Sequence, residues 1–242
     1  MNGTNKILRG KLKSTEEIKE LLKTIDYAIF DFDNTLYPGM FLFDLAQIVF
    51  KSHKDFKKLE NLQLLAKTFK NNRFAESYLG FIKLLDGEEV TEFVSASNKL
   101  IKNAYDYAFL TIKILNESYN IKTCLVSVTA DFVANVAKTH FNLNEAYGIN
   151  YLTSDSTEKN KFIGITKSLI DSSYNMKIRM LKSAHISNFS KIHFFDDVND
   201  LDVVSDAILK VGVNPTLDLE KNLDIVLNKQ GDPWKDFYNL IN

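Results

Sequence analysis

Short apolar runs that end in polar or acidic residues recur along the chain. Tyr27-Ala28-Ile29-Phe30 stops at Asp31, Thr123 to Val126 stops at Ser127, and Ile192 to Phe195 stops at Asp196. Ala207 to Val213 and Asp224 to Leu227 complete the set. Runs that are apolar at every position, not at alternate ones, predict strands buried on both faces, as in a parallel sheet covered by helices. Segments with helical spacing lie between them. Ser14 to Thr24 opens on the capping-box pattern Ser14-x-x-Glu17 and places Ile18, Leu21 and Leu22 on one face. Ala134 to His140 and Met176 to Ile186 read the same way. Strand alternating with helix predicts an α/β core with a doubly wound parallel sheet.

One interval breaks that rhythm. From Pro38 to Asn116 the spacing is helical, as in Leu42, Leu45, Ile48, Val49 and again in Phe81, Leu84, Leu85, with no buried-strand run. An insertion of this size between the first two core strands predicts a small helical domain. The division expected is therefore a core of residues 1–37 and 117–242 and a helical unit of residues 38–116.

Composition narrows the class without naming a chemistry. With 242 residues, 45% hydrophobic and 25% charged, the chain is ordinary globular protein. Lys and Arg number 30 against 31 Asp and Glu, a net charge of −1, so no global basic field points to nucleic acid. The Lys-rich stretch Lys51 to Lys58 reads as a solvated helix face. No apolar run approaches the roughly 20 residues that span a bilayer, and the polar amino-terminal segment lacks the apolar centre of a signal peptide. A single cysteine, Cys124, leaves no internal disulfide to form. The expectation is a disulfide-free cytoplasmic protein that engages neither membrane nor nucleic acid.

Candidate chemistry gathers where the strands end. Alternation along an extended segment points Asp31 and Asp33 the same way, at the carboxyl edge where open α/β sheets bind ligands. Adjacent carboxylates repel unless a cation or a shared proton intervenes, which favours Mg2+. A second acidic cluster, Asp196-Asp197-Val198-Asn199-Asp200, follows the run Lys191 to Phe195. Ser127 and Thr129 end a third strand and offer hydroxyls to phosphate oxygen. Lys177 is placed at the start of a helix, 19 residues before Asp196, with room for one helix and one strand between; Lys159, Lys161 and Lys167 compete for the same role.

The ordered set Asp31-x-Asp33-x-Thr35, Ser127, Lys177 and Asp196-Asp197-x-x-Asp200 resembles the haloacid dehalogenase (HAD) superfamily of phosphohydrolases, most of all its phosphoserine-phosphatase-like branch. Val126 to Phe132 is similar to that branch's second motif, and Lys210-Val211-Gly212-Val213-Asn214-Pro215 to its last core strand. The likeness covers residues 27–229, with the helical insertion in the position of a C1-type cap. It implies a Rossmann-like core and an aspartyl-phosphate mechanism on a small soluble phosphomonoester. Asp31 would be the nucleophile and Asp33 the acid and base. Mg2+ would be held by Asp31, by the backbone carbonyl of Asp33 and by Asp196, while Ser127, Thr129 and Lys177 would hold phosphoryl oxygens. Asp197 and Asp200 would order metal-bound water and Lys177, or Asp200 would reach the metal through water.

Asp33 separates subclasses within the resemblance. Dehalogenases of the superfamily lack a carboxylate there and transport ATPases carry threonine, so Asp33 implies phosphomonoester hydrolysis or phosphoryl transfer. Two departures stand out: Asn34, where many relatives have glycine or serine, and Ser127-Val128-Thr129-Ala130, where the family often has Ser-x-Ser-Pro. The stretch Asp33 to Pro38 also resembles pyrimidine 5′-nucleotidases, which keeps a nucleotide substrate beside a phosphoserine-like one; Tyr37, Phe41 and Phe43 read either as stacking partners for its base or, as is commoner on amphipathic helices, as core residues. Arg73, the only arginine of the insertion, reads either as a carboxylate partner in the substrate pocket or as a solvated side chain. A phosphotransferase and a catalytically silent binding protein remain the other functional readings. His193 reads as a hydrogen-bonded core histidine, Cys124 as a small core hydrophobe, and Trp234 as an anchor packing the last segment onto the core.

Overall fold

The computed structural model describes residues 14–52, 56–70, 80–81, 83–154, 161–165, 173–197, 200–201, 203–215, 217–227 and 231–242. Helix α1 (Thr15–Leu22) leads into β1 (Tyr27–Phe30), and the helices α2 (Phe41–Ser52), α3 (Phe56–Lys70) and α4 (Val90–Leu100) follow. Helix α5 (Asp106–Glu117) returns the chain to the sheet at β2 (Lys122–Ala130). Then come α6 (Asp131–Phe141), β3 (Glu145–Ile149), a hairpin of β4 (Tyr151–Thr153) and β5 (Phe162–Ile165), and α7 (Ser173–Ser183). The chain finishes with β6 (Lys191–Phe195), β7 (Leu209–Val213), α8 (Leu217–Glu220), β8 (Ile225–Leu227) and α9 (Trp234–Ile241).

The large sheet has the order β3-β2-β1-β6-β7-β8, with every neighbouring pair parallel. The doubly wound α/β core expected from the apolar runs is present. Its central strands β1 and β6 are buried at every position, which is why apolar residues dominate both of their faces, with Lys191 and His193 the exceptions in β6. The chain leaves β1 toward β2 and β3, then crosses back to β6 on the other side. The reversal opens a crevice between the carboxyl ends of β1 and β6, the place where such sheets bind ligands.

Two strands differ from the sequence expectation. Strand β2 does not stop at Val126 but runs to Ala130, so Ser127 and Thr129 lie within it. Strand β3 was not legible, because it is an edge strand that is mostly half-buried and carries Glu145 and Gly148 among its apolar residues. The glycine has a steric cause: a Cβ at Gly148 would stand 2.9 Å from the Thr129 carbonyl oxygen, so only glycine lets β3 approach the end of β2.

Helix α1 begins as its sequence predicts. Ser14 Oγ accepts the Glu17 N–H and Glu17 Oε2 accepts the Ser14 N–H, both at 3.2 Å, while Ile18 and Leu22 are fully buried. Ser14→Ala should therefore cost about 1 kcal/mol in urea unfolding, the usual worth of such a cap, with no change in any site property. Helix α2 packs on α3 and α4, whereas α5 packs on α9 and β2. A single apolar cluster runs from the sheet into the helical insertion, joining Phe30 and Phe194 to Phe41, Phe50 and Phe93. The β4–β5 hairpin is stitched to the insertion: Gly87 N–H donates to the Phe162 carbonyl at 2.8 Å, and Phe162 N–H to the Glu88 carbonyl at 3.0 Å. Lys58, read from sequence as part of a solvated face, forms an ion pair with Glu88. No described helix is long and apolar enough to cross a membrane.

Candidate active site

Asp31 extends the β1 ladder by one residue, its N–H donating to the Phe194 carbonyl at 2.9 Å. This seats its carboxylate in the crevice beside the end of β6. Oδ1 accepts the Phe32 N–H at 2.7 Å, and Oδ2 faces the Lys177 ammonium at 2.9 Å. The chain then folds into a tight turn in which the N–H groups of Thr35, Leu36 and Tyr37 all reach the Phe32 carbonyl. Asn34 sits in this turn at φ 54°. That left-handed conformation explains the departure from glycine or serine, because asparagine is one of the few other residues that tolerates it. The turn returns Asp33 to the start of α2, where its Oδ1 accepts the Phe41 N–H at 2.7 Å.

The charges are unevenly matched. Lys177 Nζ lies 2.7 and 2.8 Å from the two Asp200 oxygens as well as 2.9 Å from Asp31. Lys177, Asp31 and Asp200 are only 4%, 7% and 2% exposed, so the three charges meet away from bulk water. Burial opposes the lysine's charge, but Asp200 and Asp31 outweigh it and hold its pKa above the usual lysine value. Asp200 is held above the usual carboxylate range by burial, with Asp31 adding to the effect and Lys177 opposing it. Asp196, at the end of β6, is also raised well above the usual carboxylate range, by burial and then by the charge of Asp31. Asp33 is pushed up to about 7, chiefly by burial, with the Phe41 N–H opposing and Asp31 adding. One lysine thus serves several crowded carboxylates, and the site carries excess negative charge.

That excess is the observation bearing on a metal. Among the described residues, no three His, Cys, Asp or Glu side chains form a ready-made metal cluster. The donor set fits a hard divalent cation that takes only two carboxylates: Asp31 and Asp196 are oxygen donors whose mutual repulsion a cation between them relieves. Asp197 is exposed, and its carbonyl accepts the Asp200 N–H at 3.1 Å.

Ser127 and Thr129 lie where the β2 register shifts between Val126 and Ala130, and both are buried. Thr129 N–H lies 3.4 Å from Ser127 Oγ, and Thr129 Oγ1 has no hydrogen-bond partner among the described residues. A buried hydroxyl left unpaired is costly unless a ligand completes it. The structure thus brings Asp31, Lys177 and Asp200 into direct contact, with Asp33 and Asp196 within reach of their charges. Lys177 lies in the second turn of α7 and not at its start, since the helix begins at Ser173. Of its rivals, Lys161 is exposed on the hairpin, while Lys159 and Lys167 lie outside the described residues. Arg73 lies outside them too.

Burial decides the role of several other side chains. His193 is buried, but its Nε2 has no hydrogen-bond partner among the described residues. Burial, reinforced by Lys177 and Lys191, pushes its pKa well down and keeps it neutral. Tyr37 and Phe41 are core residues: both pack on Phe32, and the Tyr37 hydroxyl donates to Asp44 at 3.0 Å, so neither offers a face to a base. No sequence pattern pointed to Tyr105, half-buried where the chain leaves the insertion. Its phenol is pushed up by burial, then by the charge of Asp232, with Asp196 adding and the Asn214 side chain opposing.

No family model matches the sequence, and no curated protein matches it. Solved structures do match the fold. A substrate-bound phosphoserine phosphatase aligns with a TM-score of 0.66 at 20% identity, over 90% of this chain and 99% of the other. A phospho-aspartyl intermediate analogue of phosphoserine phosphatase aligns at 0.67 and 20%, over 90% and 100%. A HAD family hydrolase from Salmonella enterica serovar Typhi aligns at 0.67 and 16%, over 90% and 76%. With carboxylates at the ends of β1 and β6 and a helical insertion after β1, the chain has the haloacid dehalogenase fold in its phosphoserine-phosphatase-like form.

Proposed function

We propose that this protein hydrolyses phosphomonoesters through an aspartyl-phosphate intermediate, on a small phosphorylated metabolite of the phosphoserine kind. The observation that carries the reading is the Lys177 ammonium shared between Asp31 and Asp200, beside an Asp33 carboxyl that burial pushes up to about 7. Asp31 attacks phosphorus, forming the O–P bond as the ester O–P bond breaks. Asp33, protonated at that moment, gives its proton to the leaving oxygen and then takes one from the water that releases phosphate. A group that titrates near 7 serves both halves of that cycle. Lys177, Ser127 and the unpaired Thr129 hydroxyl hold the phosphoryl oxygens, where charge accumulates. Asp31, Asp196 and the Asp33 carbonyl would hold Mg2+, which would supply neutralisation of the charge on the phosphoryl group.

The helical insertion, residues 38–116 in this reading, acts as the cap that selects substrate and excludes water. The test is phosphate release from phosphoserine, nucleoside monophosphates and an aryl phosphate, with Mg2+ and with chelator. Release should fall on chelation by roughly a hundredfold or more, since a catalytic metal supplies several kcal/mol. A nucleotide turned over fastest would move the reading to a nucleotidase, and phosphoryl transfer to an added alcohol would move it to a phosphotransferase. No release from any ester would leave a binding protein of the same fold.

A further inference from the structure

The turn that carries Asp33 is held from outside by a circuit of hydrogen bonds that the chemistry does not use. Trp234, at the start of α9, is fully buried, and its Nε1–H donates to the Thr35 carbonyl at 2.8 Å. The next carbonyl, that of Leu36, accepts the Tyr105 N–H at 3.1 Å. Asp232 closes the circuit, its Oδ1 accepting the Trp234 N–H at 2.9 Å and its Oδ2 the Tyr107 N–H at 2.8 Å. Two consecutive carbonyls of the turn are therefore fixed by two separate elements, which one carboxylate ties together.

The indole also packs on Phe194 and Phe30, with ring centroids 4.9 and 5.9 Å away. Those rings stack on each other at 4.8 Å. Phe30 is the residue before Asp31, and Phe194 stands two before Asp196. One side chain thus touches both strands that present carboxylates and the turn that presents Asp33.

We propose that Trp234, oriented by Asp232, is a positioning residue of the phosphatase site: its indole N–H pins the Asp33–Tyr37 turn and so fixes Asp33 relative to Asp31. This rests on the phosphatase reading above. The bond lies in an apolar surrounding, where its loss strands a buried carbonyl and lets the turn relax. Trp234→Phe keeps the aromatic packing and removes only the donor. Because ångström-scale misplacement of reacting groups costs up to a hundredfold, kcat should fall about tenfold with KM nearly unchanged. Amide exchange at Leu36 and Tyr37 should accelerate, since their shared bond to the Phe32 carbonyl depends on the turn. Phe237→Leu is the control: that ring touches Phe194 at 5.3 Å from the same helix but has no polar atom to bond the turn. It should lower the melting temperature and leave kcat and the exchange at Leu36 and Tyr37 as in wild type. An equal fall in kcat for both variants, or wild-type kcat in Trp234→Phe, would overturn the assignment. Should the wild type release no phosphate from any ester, the phosphatase reading fails by itself. The pin is then judged by exchange alone, and no acceleration in Trp234→Phe relative to Phe237→Leu would overturn it.

Discussion

Asp31→Asn should lower phosphate release a thousandfold or more while the protein stays folded, with a melting temperature equal to or above that of wild type. On the proposed mechanism, the activity loss follows from the bond that must form. An amide oxygen is a poor nucleophile toward phosphorus, and removing a covalent nucleophile costs many orders of magnitude wherever the residual rate comes only from binding and charge stabilisation. The stability expectation has a different cause. The substituted amide retains an oxygen that can accept the Phe32 N–H, and Lys177 keeps its two contacts with Asp200. What disappears is one negative charge from a site in which Asp31 raises Asp33, Asp196 and Asp200 together. The amide nitrogen then faces the Lys177 ammonium and that bond is lost, but relieving the crowding of carboxylates offsets the loss, the usual trade between activity and stability at a functional site. Phosphate release and thermal melting of the same preparation check both halves. Full activity in the variant would sink the nucleophile assignment, and a collapsed melting curve would sink the account of crowded charge.

The same physics decides what could be read from the sequence. β1 and β6 were legible because burial on both faces leaves a run in which apolar residues dominate, and the acidic residues that stop those runs mark the crevice directly. β3 was not, since an edge strand is free to carry Glu145 and to stay half-buried along most of its length. The hairpin escaped because Phe162-Ile163-Gly164-Ile165 is short and interrupted by glycine. Lys177 could be singled out because a helix and a strand must fit between it and Asp196, but its helix starts a turn earlier than periodicity suggested. Burial of Trp234 was foreseeable from its chemistry. Its bond to Thr35 was not, because a contact across 199 positions of chain leaves no local pattern. The neutral state of His193 follows chiefly from burial, which the run it sits in implied, but the added push from Lys177 on another element was hidden for the same reason.

Lys177→Met should destabilise the protein by about 3–5 kcal/mol at pH 7 in chelator, the cost of stranding buried carboxylates by removing their shared partner. That is a large part of the roughly 5–15 kcal/mol that typically holds a domain folded. Packing alone does not predict it, since methionine fills nearly the same volume in a helix that tolerates Met176 and Met180 nearby. The pH dependence separates the causes. Lys177's pKa is held above the usual lysine value, so its stabilising contribution is complete at every pH below that of unfolded lysine, roughly 10.4. Asp200 already stands above the carboxylate range, and without the lysine it rises further. A carboxylate raised in the folded state is a burden above its unfolded pKa of about 3.9, and the burden lifts as pH falls and the group takes up a proton. The gap between variant and wild type should therefore narrow from pH 7 toward pH 4, whereas a packing defect would leave it constant. Adding Asp200→Leu removes the stranded charge and should restore most of the stability with no return of phosphate release. Urea unfolding of the single and double variants across that range decides the matter, and a single variant as stable as wild type at pH 7 would show that Lys177 does not hold these carboxylates together.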